Sequence, residues 1–128
     1  MLADRPKIYS ALAVHRDEVE EVPDGAEVLA SNGMSRVQVM VVERDGVDFW
    51  GVQYHPEFEF RTLAITYRRI ARLLVKEGTC ADEADAETAA TRFDAYQVDA
   101  KELPAEVADA ELRRLEIRNW LRHTVTKA

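Results

Sequence analysis

The sequence predicts a mixed α and β chain, with strands in its first part and helices in its second. Two observations carry that expectation. The stretch Arg36–His55 alternates β-branched and aromatic residues around an Asp-Gly turn. From Phe60 onward the apolar residues recur at the 3.6-residue helical period instead of the two-residue strand period. The chain has 128 residues, 47% of them hydrophobic and 32% charged, a balance that supports one packed domain and argues against wholesale disorder.

The elements follow in order. Tyr9–His15 (YSALAVH) reads as a strand ending on a histidine. Pro23-Asp24-Gly25 is a turn signal, and Glu27–Ser31 a short strand after it. Ser31–Gly33 is a second turn. Arg36–Arg44 and Val47–His55 flank Asp45-Gly46, whose residues tolerate the positive φ angles of a tight hairpin, so these two strands are expected to pair antiparallel.

Phe60, Leu63, Ala64, Tyr67, Ile70, Ala71 and Leu74 form one face of an amphipathic helix, with Gly78 as its stop. Arg61, Arg68, Arg69 and Arg72 fall mostly on the other face, which reads as a solvated face or as a phosphate-binding one. Cys80–Ala100 is expected as an acidic, surface-lying helix. A third helix runs through the C-terminal stretch, with Pro104 in its first turn and Val107, Leu112, Leu115, Ile117, Trp120 and Leu121 as its apolar surface. Residues 1–78 and 79–128 are read as two regions, the second a helical extension. Its apolar content also suits an interface.

Composition narrows the function. The net charge of −7 disfavours nonspecific attraction to nucleic acid or anionic membrane. No apolar run approaches the roughly 20 residues needed to span a bilayer, and the first ten residues lack a signal-peptide core; a cytoplasmic location is expected. The single cysteine, Cys80, allows no intrachain disulfide and reads as an incidental, solvated thiol in a loop between helices. The three histidines (His15, His55 and His123) lack ligand spacing with one another, and no metal or cofactor is implied.

The stretch Phe49–Phe60 (FWGVQYHPEFEF) carries the chemistry. His55 and Glu57 lie two positions apart at the end of a buried strand, so the strand period places them on one side. A carboxylate there accepts a hydrogen bond from one imidazole nitrogen and leaves the other free as a base. From spacing alone such a pair is more often a capping or surface feature than a catalytic dyad.

The wider wording decides more. "GVQYHPE" closely resembles the catalytic His/Glu motif of class I glutamine amidotransferases, and "VHRDEVEEVPDGAEVLASN" resembles the segment that precedes it in that family. The closing "EIRNWLRHTV" is similar to the last helix of stand-alone members like the amidotransferase domain of GMP synthase. The resemblance implies the C-terminal half of a flavodoxin-like, three-layer α/β domain, with antiparallel hairpin strands followed by two or three helices. It implies His55 as general base, Glu57 as its orienting acid, and glutamine as substrate, hydrolysed to glutamate and ammonia through a cysteine thioester. His15 and Asp17 match a segment near the family's glutamine pocket and are expected in substrate-side or structural roles.

The family's nucleophile sits in a Gly-x-Cys-x-Gly elbow before the histidine segment, and this sequence contains none. Cys80 follows His55 and lacks that setting. The chain is therefore expected to be inactive alone. A shortened product or mis-assigned start, one part of a split domain, and a non-catalytic relic serving as a dimerisation or interaction module all remain open. In each case Phe49, Trp50, Val39 and Val41 would need cover, so a homo-oligomer or a partner chain carrying the nucleophile half is expected.

Overall fold

The computed structural model describes residues 1–127. Three strands, β1 (Ala26–Ala30), β2 (Val39–Arg44) and β3 (Val47–Val52), form an antiparallel sheet in the order β1-β2-β3. The hairpin is where Asp-Gly puts it. Asp45 and Gly46 have φ of 53° and 77°, and the register runs from Arg44↔Val47 to Val39↔Val52. Two successive positive φ angles match the twist of the flanking strands.

Three strand expectations are corrected. Tyr9–His15 is extended but belongs to no sheet: among the described residues its one backbone-to-backbone bond is His55 N–H to Leu12 O, 2.8 Å, and a strand needs a ladder. Val47–His55 stops at Val52, because its partner β2 begins only at Val39. Arg36–Gln38 precede β2: Gln38 donates to Ala30 O and accepts from the amide of Gln53, 2.9 Å each, and the turn before them is closed by Asn32 Oδ1, which accepts from the amides of Met34 (3.0 Å) and Ser35 (2.8 Å).

The long helix arrives in two pieces, α1 (Phe60–Arg69) and α2 (Ala71–Lys76), with Ile70 between them at φ −107° and ψ 18°. Gly78, at φ 75°, ends α2, and the amides of Thr79 and Cys80 return to Leu74 O. Helix α3 (Glu83–Val98) starts at Asp82, whose carboxylate accepts from the amide of Asp85, 2.8 Å. It is not merely surface-lying. Ala86 and Ala90 are fully buried, and these small side chains let it approach α1 and α2. Its acidic face holds Arg68 through Glu87 and Asp94, 2.8 Å each, so that arginine is paired across helices.

The expected third helix is broken into α4 (Ala105–Ala108), α5 (Ala110–Arg113) and α6 (Leu115–Lys127). Asp109 is the breaker: it adopts an extended backbone and its side chain caps the amides of Glu111 (2.7 Å) and Leu112 (3.2 Å). Leu12, Phe60, Leu63 and Val107 form the main apolar cluster, bringing residues from both ends of the chain together. No described helix is long and apolar enough to cross a membrane.

Helix α6 closes over the sheet and the N-terminal segment. His123 Nε2 pairs with Asp48, and its ring lies 4.8 Å from that of Trp50. Asn119 donates to the carbonyls of Met1 and Ala3, 2.9 Å each. Val39 is fully buried and Trp50 is half-buried beside His123, so the chain itself supplies part of the cover expected from a partner. Phe49 stays 55% exposed.

Candidate active site

The site is built by a turn. Leu12 O anchors the amide of His55, and the amide of Phe58 returns to His55 O at 3.2 Å, closing a four-residue turn from His55 to Phe58. Pro56 holds the second position, where its fixed φ is preorganised. The turn folds Glu57 back, and its Oε1 lies 2.8 Å from His55 Nδ1. His55 and Glu57 thus meet through this reversal rather than through the alternation of a strand. Phe58 stacks on the imidazole, ring centroids 3.9 Å apart and planes 12° from parallel.

The second imidazole nitrogen is not free. His55 Nε2 lies 3.3 Å from Val14 O. Both ring nitrogens thus face oxygens, Nδ1 the Glu57 carboxylate and Nε2 the Val14 carbonyl. Once protonated at Nε2, the ring donates to both oxygens. Neither Val14, which acts through its main chain, nor Phe58 was visible as a contributor in the pattern of side-chain types. The aromatic character of Phe58 beside the motif was the one available signal.

His15 and Asp17 sit apart from this pair. His15 Nδ1 lies 3.1 Å from the carbonyl of Asp17, which also accepts from Gln53 Nε2 at 3.1 Å, and both residues are exposed. No hydrogen bond among the described residues joins either to His55.

Cys80 lies between α2 and α3, as expected of a loop thiol, but it is buried with Leu74 and Ala86, not solvated. Burial first, then the carboxylates of Asp85 and Asp82, push its thiol pKa up. A thiolate is the reactive form, so this environment disfavours a nucleophile. Alkylation of the folded chain by iodoacetamide at pH 8 is expected to run at least ~10-fold slower than in denaturing urea. Equal rates would refute this account of Cys80.

Behind the site, Tyr54 leads into a buried polar network. Its hydroxyl donates to Glu116 Oε1 at 2.8 Å and lies 3.0 Å from that of Tyr9. Glu116 is gripped by Arg5 through Nε (2.7 Å) and Nη2 (2.8 Å), with both side chains at most 3% exposed. Burial is the main cause raising the Tyr54 phenol well above its ordinary range, so it stays a neutral donor. This network anchors Tyr54, the residue directly before His55.

Comparison with known proteins supplies the family. The sequence model described as Glutamine amidotransferase class-I matches residues 1–69, which include His15, Asp17, His55 and Glu57. The chain belongs to the class I glutamine amidotransferases. It is 33% identical over 125 residues to a Gamma-glutamyl-L-1-hydroxyisopropylamide hydrolase of Pseudomonas sp, covering 91% of this chain and 42% of that protein. Over 52 residues it is 40% identical to a glutamine-hydrolyzing GMP synthase subunit of Methanocaldococcus jannaschii, covering 41% and 27%. Over 79 residues it is 31% identical to Gamma-glutamyl peptidase 3 of Arabidopsis thaliana, covering 62% and 30%. In each case the match spans less than half of the relative's length. No solved structure matches.

Proposed function

We propose that this chain supplies the general base and its orienting carboxylate for hydrolysis of a γ-glutamyl amide, with glutamine as the family's substrate. The observation that carries this reading is the 2.8 Å His55 Nδ1–Glu57 contact, with the ring held by Phe58 and its Nε2 backed by Val14 O. The relatives' names, two of which refer to γ-glutamyl compounds and one to glutamine hydrolysis, support the substrate class.

In this reading a cysteine outside these 128 residues is the nucleophile, and the whole forms a three-layer, flavodoxin-like domain. His55 takes the thiol proton at Nε2, and the thiolate attacks the amide carbon to form a tetrahedral oxyanion. The imidazolium, held by Glu57, gives its proton to the leaving nitrogen and ammonia departs. His55 then deprotonates the water that cleaves the γ-glutamyl thioester. His15 and Asp17, exposed and apart from the His55–Glu57 pair, take substrate-side or structural positions.

The DNA upstream of the Met1 codon provides the test. An in-frame Gly-x-Cys-x-Gly is expected, and the longer product should release ammonia from glutamine while the 128-residue chain does not. A stop codon directly upstream, with no separate cysteine-bearing chain that restores activity, favours the interaction module. Glutaminase activity of the 128-residue chain that survives His55→Ala would sink the dyad.

A further inference from the structure

One groove begins at the base. Two residues that touch the imidazole also line it: Val14, whose carbonyl lies against Nε2, and Phe58, which stacks on the ring. From there it follows α1 into α2, past Thr66 and Arg69 to Leu73. Its volume is about 460 Å³, within the ~300–1,000 Å³ of small-molecule sites. Ammonia, the leaving group of glutamine, is about the size of a water molecule, ~30 Å³, and would fill little of it.

The lining selects a ligand with two characters. Phe58, Ile70 and Leu73 are half-buried and make one wall apolar. The far end carries an unbalanced charge. Arg16 is paired with Glu77 at 3.5 Å, and Arg68 and Arg72 meet carboxylates of α3. Arg69 lines the groove and has no carboxylate partner among the described residues. A guanidinium presents paired donors that match a carboxylate. In a chain of net charge −7, this unpaired cation favours an anionic group at that end.

Length narrows the choice further. Phe58 lies just before α1 and Arg69 is its last residue, so the two ends are separated by up to roughly 15 Å, the rise of the 10 residues of α1. The arginine side chain leans back toward the start of the helix and shortens that gap. An extended peptide advances ~3.3–3.6 Å per residue. Two or three residues therefore join a scissile nitrogen at His55 to a carboxylate on Arg69, and one amino acid falls short.

We propose that the groove along α1 holds the leaving group of a γ-glutamyl peptide, with apolar side chains against Phe58 and Leu73 and the C-terminal carboxylate on Arg69. This rests on the function proposed above and names its substrate class. The cysteine thiolate adds to the γ-glutamyl carbon, the C–N bond breaks, and the departing nitrogen takes the proton that His55 holds. The peptide leaves with a free amine, and water then releases glutamate from the thioester.

Isothermal titration of the 128-residue chain with N-acetyl-leucyl-alanine, which copies the amide, side chain and carboxylate of such a leaving group, is expected to show saturable binding. Arg69→Gln, or amidation of the ligand's carboxylate, should weaken it about 10-fold, and Arg69→Lys should restore part of the loss. Arg69 is exposed, so these variants keep the fold. No binding at millimolar concentration, or binding indifferent to Arg69, overturns the proposal whatever the activity. In the longer, cysteine-bearing product, kcat/KM for γ-glutamyl-leucyl-alanine should exceed that for glutamine at least ~10-fold, and Arg69→Gln should erase that ratio. Glutamine hydrolysis with no Arg69-dependent preference refutes the groove alone; Arg69-dependent binding without hydrolysis of either substrate refutes the function alone.

Discussion

Glu116→Ala is expected to destabilise the chain by about 3–5 kcal/mol, the largest stability effect of any single substitution here. The carboxylate accepts two bonds from Arg5 and one from Tyr54, and both charged side chains are all but removed from solvent. Removing it leaves a guanidinium buried without its counter-charge and a phenol without its acceptor, and burial makes each loss cost far more than it would at the surface. The midpoint of urea unfolding should fall by roughly 2 M, given slopes of 1–3 kcal/mol per molar for domains of this size. The paired change Arg5→Met with Glu116→Leu should recover most of the loss, because it removes the stranded charge together with its partner. A single-variant effect below about 1 kcal/mol would show that the pair is solvated in solution.

That network was hidden in the sequence for a plain reason: Arg5 and Glu116 are 111 positions apart, and neither sits in a pattern that marks it as buried. Features written in local chemistry were legible. Asp45-Gly46 specified the hairpin through its φ angles, the apolar period beginning at Phe60 specified a helix, and the His-Pro-Glu wording specified a base beside a carboxylate. Features decided by neighbours were not. Tyr9–His15 has the composition of a strand but, within the described residues, no strand beside it. Cys80 is flanked by solvated-looking residues yet drops into the gap between Leu74 and Ala86. The C-terminal helical period runs unbroken through Asp109, but a side chain that can cap its own following amides offers the backbone an alternative, and the helix restarts there. The candidate site divides the same way. His55 and Glu57 were visible as residue types, while the proline-led turn that joins them and the Val14 carbonyl behind Nε2 are products of tertiary geometry.

With the proposed cysteine nucleophile supplied, His55→Ala is expected to lower kcat by about 10²–10⁴-fold with little change in KM, since in the proposed mechanism proton transfer assists the transition state and not substrate capture; the range is the usual order of magnitude for general acid–base catalysis. Glu57→Gln should cost less, roughly 10–100-fold. The amide oxygen can still accept the Nδ1 proton, and Phe58 still holds the ring, so orientation largely survives. What is lost is the negative charge that favours the imidazolium. Glu57 is 55% exposed, and solvent screening keeps such a charge to about 1 kcal/mol, with misoriented amide conformers adding the rest. The two effects should not add: without the imidazole the carboxylate has nothing to orient, so the double variant should match His55→Ala within a few-fold. Steady-state kinetics on the four proteins decides the matter. A Glu57→Gln defect that persists undiminished in the His55→Ala background would mean that Glu57 acts on something other than the base.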